Sequence, residues 1–464
     1  MLPDDVLLEI FHFFVDEAWS ESGYESDAME AWQSLVHMCR RWRIVVFGSP
    51  RRLNLRLVCT RKTRATDTVD IWPALPLLIQ DSGPSESMDN IIALLERSDL
   101  VHRITQISLD VSGPELEHIS EGMQIPFSEL IYLDLYDYRQ EMLILPLSDS
   151  FLGGSTPRLK SLHFYRISYP GLPKLLLSAT HLTRLDLRDI PNSGYIPPEA
   201  MAACLSTLTS LERLILVFRF PRPFHGQESQ RLRPSLRTSL HVLDNFRFRG
   251  SGEYLEVLVA RIDAPRLRNL SITFFNDIVF LTPQFTRFIG HAPMLEAFDS
   301  ARVTLTKSAA GVELSSACAE LNVRLYVSIY CRELDWQLSF LEQVCTSSLP
   351  PLSTLQDLYM MSDPWPQDWK DSIDYAQWLE LLHSFPAVKN LYLSRELAPC
   401  VVPALQEFAG GGTTKAFPNL ENIFLESPQE SGPVQEGIEK IVAARQVTSH
   451  SITVYRQGRY SNQL

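Results

Sequence analysis

The chain has 464 residues, 45% of them apolar and 21% charged, a balance that fits a folded globular protein and excludes a disordered one. Its 42 basic against 55 acidic residues leave a net charge of −13, which argues against nucleic acid or an anionic membrane as the main partner. Seven scattered cysteines form no Cys-x-x-Cys pair, the first residues lack a secretory signal pattern, and no apolar run is long enough to span a bilayer, so the reading is a cytoplasmic or nuclear protein with reduced thiols.

The first fifty residues carry two apolar stripes at helical spacing. Val6, Leu7, Ile10, Phe11 and Phe14 make the first, with Pro3 in a first-turn position and Asp4 and Asp5 at the positive end of the helix dipole. Trp32, Leu35, Val36, Cys39 and Val46 make the second, which Gly48 and Pro50 bring to a stop. Helices this short cannot bury both stripes among themselves, so some apolar surface must meet a partner or the rest of the chain. Between the stripes, Asp16 to Glu30 holds six acids and no base and reads as a solvated, mobile loop. From Ala31 to Thr66 the balance inverts to nine bases and no acid. With the whole chain negative, this run reads as a basic helix face and turn rather than a nucleic-acid patch.

Leu53 to Leu57 alternates like a strand. Beyond it an L-x-x-L-x-L pattern, open to any large apolar residue, starts at Ile104, Leu130, Leu159, Leu182, Leu211, Leu240, Leu267, Leu295, Leu355, Val388 and Leu420. Neighbouring starts lie 23 to 33 residues apart, except for a double step of 60 that a strand-like run, Val323 to Ile329, would split into two ordinary periods. Ser451 to Tyr455 fits a last strand. Pro157, Pro265, Pro293, Pro386 and Pro418 each stand two residues before a first apolar position, where proline ends a helix and sets up a strand. Helical patterns fill the intervals at Ala200–Leu208, Glu253–Ile262, Pro283–Gly290, Tyr375–Ser384 and Gln435–Arg445. Strand and helix alternating at a period of about 28 residues is a solenoid pattern, in which each unit buries its apolar face only against its neighbours. Leu133, Leu135, Leu185, Leu187, Leu214, Leu216, Leu270, Leu358, Leu391 and Leu393 are its expected core.

Two resemblances attach to these residues. Leu2-Pro3-Asp4-Asp5-Val6-Leu7-Leu8-Glu9-Ile10-Phe11, followed by Val36-x-x-Cys39-Arg40-x-Trp42 and Pro50, resembles the F-box family. That resemblance implies a small helical domain over residues 1–50 that binds a Skp-type adaptor and, through it, a cullin-RING ligase. The positions matching the motif are Leu2, Pro3, Leu7, Ile10, Phe11, Val36, Cys39 and Trp42, and they are the implied adaptor contacts. The link Asp16 to Ala31 is longer than the family's usual one. The repeats over 51–464 resemble the leucine-rich-repeat family, which implies an α/β fold: one irregular solenoid with a parallel inner sheet. The family's asparagine or cysteine position holds Tyr138, Ile167, Ile190 and Arg219 in successive repeats, so its asparagine ladder is missing there.

Phosphate loops, dinucleotide-binding fingerprints, nucleophile elbows and zinc-protease motifs are all lacking at the spacing their chemistry needs. The expectation is therefore no catalytic residue, no cofactor and no metal. Together the resemblances imply the substrate-recognition adaptor of an SCF ubiquitin ligase, with a client protein held by the repeats. The alternatives are an adaptor-bound scaffold outside any ligase, or an enzyme whose residues converge from distant repeats. For the client, alternation is the guide: the residue between the last two apolar positions of each core faces away from it. In three successive repeats that residue is Tyr359, Tyr392 and Phe424, whereas Asp134, His163, Asp186, Ile215 and Ser271 precede them. The row adjoins an insertion, Ser362 to Asp374, carrying Trp365 and Trp369. Either these aromatics capture a client or the tryptophan loop covers the row as a satellite core.

Overall fold

In the computed structural model the same tight turn recurs ahead of the strands. The N–H of the first apolar residue donates to the carbonyl three residues earlier: Leu130 to Phe127 (3.2 Å), Leu182 to Ala179 (3.0 Å), Leu211 to Leu208 (3.1 Å), Leu267 to Ala264 (3.1 Å) and Leu420 to Phe417 (3.1 Å). At Pro157, Pro265 and Pro418 proline occupies the second position of this turn, where its fixed φ is already correct. The next two N–H groups then share one carbonyl of the preceding repeat. Lys160 and Ser161 donate to Ile131 (2.8 and 3.1 Å), Lys389 and Asn390 to Gln356 (2.8 and 3.0 Å), and Glu421 and Asn422 to Lys389 (both 2.9 Å).

The structure describes residues 2–21, 25–62, 68–81, 87–137, 146–219, 237–275, 282–296, 298–316, 323–363, 375–410, 417–426, 432–447 and 451–457. The chain divides into two compact units between Ile196 and Pro197, where a single solenoid had been expected from residue 51 onward.

The first unit opens with helices α1 (Asp4–Glu21), α2 (Glu25–Met38) and α3 (Arg40–Gly48). The stretch expected as a loop is thus helical on both sides of residues 22–24. Its glutamates, alanines and methionine are strong helix formers. Six parallel strands follow, paired in chain order: β1 (Leu57–Cys59), β2 (Leu77–Gln80), β3 (Ile104–Val111), β4 (Tyr132–Asp137), β5 (Ser161–Tyr165) and β6 (Arg184–Ile190). Helices α4 (Asp89–Leu95), α5 (Gly113–Gly122) and α6 (Leu172–Ser178) alternate with them. The strand expected at Leu53 starts only at Leu57, because Asn54 turns the chain with φ 50°. Trp32 is buried edge-on against Trp72 (5.2 Å) and Phe47 (6.1 Å), which fastens α2 to the chain leading into β2. Arg61, one of the nine bases of the basic run, is buried. Its guanidinium pairs with Asp81 and with Glu115 (2.9 Å) and donates to the Asp110 carbonyl (2.7 Å), while Glu115 also forms the capping box of α5 with Ser112.

The second unit holds β7 (Arg213–Phe218), β8 (Thr238–Ser239), β9 (Asn245–Gly250), β10 (Ile262–Asp263), β11 (Asn269–Phe275), β12 (Ser300–Leu305), β13 (Ala309–Ser315), β14 (Arg324–Tyr330), β15 (Asp357–Ser362), β16 (Asn390–Leu393), β17 (Asn422–Glu426) and β18 (Thr453–Gln457). Helices α7 (Pro198–Leu205), α8 (Gly252–Val259), α9 (Pro283–Gly290), α10 (Leu334–Gln343), α11 (Tyr375–His383), α12 (Ala398–Gly410) and α13 (Pro433–Val447) lie among them. Short β8 and β10 pair apart; the rest run in the order β7-β9-β11-β14-β13-β12-β15-β16-β17-β18. All these pairings are parallel except those of β13, which is antiparallel to both neighbours. Only three residues separate Leu305 from Ala309, closed by Thr306 N–H to the Ala309 carbonyl (2.8 Å), and so short a link leaves no room for a crossover helix. The double step of 60 is therefore not two ordinary periods. Its strand, β14, folds back beside β11, ahead of β12 in space.

Two expected repeat starts move by three residues. Leu243 and Phe298 take the places assigned to Leu240 and Leu295, as the register Phe246 to Leu270 and Ala301 to Leu358 requires. Leu240 and Leu295 are buried all the same, one as the residue whose carbonyl closes the turn, the other in a turn of its own. All ten leucines expected in the core are at most 3% exposed. Among the described residues no helix is long and apolar enough to cross a membrane. Replacing Arg61 by Met should cost about 3 kcal/mol of stability, since it strands two partly buried carboxylates, and Lys should restore only part because it lacks the planar fork. Chemical denaturation of the three proteins would measure this, and a Met variant as stable as the parent would rule out the buried pairing.

Candidate docking surfaces

Helix α1 is apolar on two sides. Leu7, Leu8, Phe11 and Val15 face inward, with Phe11 only 1% exposed and its ring edge-on to Trp42 at 4.8 Å. Leu2, Val6, Ile10, Phe13 and Phe14 are exposed, Phe13 to 69%. On a surface helix one apolar stripe is enough for packing, so the second is surplus to the fold. The residues matched to the motif divide accordingly. Leu2, Pro3, Ile10 and Cys39 are exposed and Trp42 is half-buried, whereas Leu7, Phe11 and Val36 belong to the module's own core. Their role is to hold the helices that carry the exposed set. Val6, Phe13, Met38 and Ile44 are exposed apolar residues that the motif did not single out. The single stripe expected from Val6, Leu7, Ile10, Phe11 and Phe14 is thus divided, Leu7 and Phe11 facing in and Val6, Ile10 and Phe14 facing out, because α2 and α3 cover only one side of α1.

Two local bonds shape this module. The Cys39 sulfur accepts from the Trp42 N–H (3.4 Å) and so caps α3. Arg41 donates to Asp4 through Nε (3.1 Å) and Nη2 (2.7 Å) and also to the Leu2 carbonyl, which ties the start of α1 to α3. Arg52 pairs with Glu9. Three bases of the basic run, Arg41, Arg52 and Arg61, thus serve internal ion pairs.

The second surface lies on the strands of the second unit. Register places Tyr359, Tyr392 and Phe424 side by side, as the alternation predicts, and adds Tyr455 of β18. The rings stack at 4.2, 4.4 and 4.8 Å with interplanar angles of 9°, 8° and 12°. Face-to-face stacking at the strand spacing leaves edges and hydroxyls turned outward. The guanidinium of Arg302 covers the Tyr359 end of the stack at 5.7 Å, and Tyr455 at the other end is 45% exposed. Burial pushes the Tyr359 hydroxyl pKa up, and Asp357 adds to it. Beside the rings runs a short amide ladder: Asn422 donates to Asn390 (2.8 Å) and Asn390 to Asp357 (2.7 Å). An asparagine ladder does exist, then, but at the strand starts rather than three residues past each core. Ile167 and Ile190, where the resemblance would put that ladder, are buried instead. Trp365, Trp369 and Tyr138 lie outside the described residues.

Sequence spacing could have found Tyr455, since Ile452 and Val454 alternate with it. Arg302 was out of reach, because the repeat ahead of it was placed three residues early.

The equivalent face of the first unit is polar. The Asp186 carboxylate takes both Nε and Nη2 of Arg188 (2.8 Å each) and lies 3.8 Å from His163. Burial pushes the His163 pKa down and the Asp134 pKa up. Tyr136 and Tyr165 stack at 4.3 Å beside them, a pair the sequence reading did not single out. Ile215 is buried. Among the described residues no three His, Cys, Asp or Glu side chains come together as metal ligands. Burial raises the Cys59 thiol to about 12 and the Cys204 thiol to about 11, so neither ionises readily.

Phe11→Ala should cost about 3 to 5 kcal/mol by leaving a cavity, while Phe13→Ser should stay within about 0.5 kcal/mol. Denaturant titration would show it, and comparable losses would mean that both stripes of α1 are core. No family model matches the chain, and neither does any curated protein sequence.

Proposed function

We propose that this chain is the substrate-recognition adaptor of an SCF-type ubiquitin ligase, acting in the cytoplasm or nucleus and supplying no catalytic group of its own. Residues 1–50 serve as an F-box that docks on a Skp-type adaptor and, through it, on a cullin and a RING subunit. Residues 51–464 serve as a leucine-rich-repeat-like solenoid that holds the client. The observation that carries the docking half is the second apolar side of α1, the exposed Val6, Ile10, Phe13 and Phe14 with Leu2 just ahead of the helix, next to the exposed Cys39 and half-buried Trp42 of the motif. Such anchors dominate interfaces, each costing roughly 2 kcal/mol or more on truncation. The client half is supported by the ladder Tyr359, Tyr392, Phe424 and Tyr455, a row of rings left at a surface.

Co-expression with the Skp-type adaptor tests the reading. The parent chain should co-purify with it, and Ile10→Asp combined with Phe13→Ser should abolish co-purification while the melting temperature holds. Retention of the adaptor by that variant would remove the docking claim. Where docking holds, failure of the complex to ubiquitinate any captured client would leave an adaptor-bound scaffold.

A further inference from the structure

The strand face with the aromatic ladder continues, within the second unit, into a half of different chemistry. From Tyr359 the same row runs through Arg302, Glu313, Tyr326 and Ser271 to Arg247. Two residues further along β9, Arg249 lies 5.8 Å from the rings of both Phe275 and Tyr330. Two residues before Tyr326, Arg324 stands 4.0 Å from Glu313. Four arginines on β9, β12 and β14 thus share this half of the face with the one carboxylate of Glu313 on β13, and among the described residues neither Arg247 nor Arg302 has a carboxylate at ion-pair distance. The acids of this face, Asp357 on β15 and Glu426 on β17, sit on the ladder side instead. On a chain of net charge −13, one face is thus basic at one end and aromatic with acids at the other.

We infer that this face binds one extended polypeptide segment that is acidic where it crosses β9 to β12 and aromatic or aliphatic where it crosses β15 to β18. The inference rests on the ladder being a capture surface, but not on adaptor docking. Charge separation favours a peptide over a nucleic acid, which is anionic along its whole length and would bring phosphates over Asp357 and Glu426. The stacking also disfavours bases, because rings already packed face to face leave no gap for a base to enter. Ring edges carry the positive rim of the aromatic quadrupole and suit the faces of a partner's aromatic side chains. From β9 to β18 are eight strand steps of about 4.8 Å, roughly 38 Å, which an extended segment of about twelve residues spans.

Fluorescence anisotropy on the full chain tests this with three labelled probes. One is a peptide of about twelve residues with glutamates in one half and tryptophan and leucine in the other. The second has lysine for every glutamate, and the third is a single-stranded oligothymidine of the same reach. The glutamate peptide should bind at least about tenfold tighter than the lysine peptide at low salt, and the preference should shrink as salt rises. Arg247→Glu with Arg302→Glu should erase the preference, and Tyr392→Ser should weaken both peptides alike. Arg247→Glu alone, at an exposed position, carries the charge test if the double variant melts lower. Loss of binding in Tyr392→Ser with the glutamate preference intact in the arginine variants overturns this inference and leaves the capture reading standing. If neither set of variants changes peptide binding, both fall. Displacement of the glutamate peptide by oligothymidine, or occupation of the face by a second copy in sedimentation analysis, also overturns it.

Discussion

The parallel array depends on how its recurring strands start. A tight turn closes on the end of the helix before it, and the next two N–H groups share a carbonyl of the repeat before it. Backbone groups in such a buried junction must find partners, and here they find them in a fixed order that sets the parallel register. Register then stacks like positions on like: Leu358, Leu391 and Ile423 inside, Tyr359, Tyr392 and Phe424 outside. A slip of one residue would bury the tyrosines and expose the leucines, so the constraint that builds the core also builds the aromatic ladder.

One irregularity gives the second unit's face its polarity. The hairpin of β12 and β13 is too short for a crossover, so β13 runs backwards and β14 is displaced to the side of β11. The displacement brings Arg302, Glu313 and Tyr326 into line with the ladder. A strictly sequential array would have set β11 directly against β12 and left no such interval between Ser271 and Arg302.

The N-terminal helices show a different economy. Apolar residues occur on two sides of α1, and α2 and α3 cover one of them. Arg41 and Arg52 hold the helices with ion pairs to Asp4 and Glu9, and Trp32 fixes α2 to the chain beyond. With stability supplied by these contacts, the outward residues of α1 are free of structural duty, which is the condition for a docking surface.

Alternation and spacing are local properties, and much of what depends on them was legible in the sequence. That includes most of the parallel strands, the ten buried leucines, the helices α7, α8, α9, α11 and α13, and the row of Tyr359, Tyr392 and Phe424. Properties set by segments remote along the chain were not. The sequence puts Phe11 and Phe14 on one stripe; only the packing of α2 and α3 makes one core and the other surface. Arg61 looks like one more base in a basic run until Asp81 and Glu115, from later elements, close around it. Arg302 and Tyr455 join the ladder through pairings with β15 and β17. Burial and charge pairing are decided by which atoms stand opposite one another, and that opposition exists only once the chain has folded.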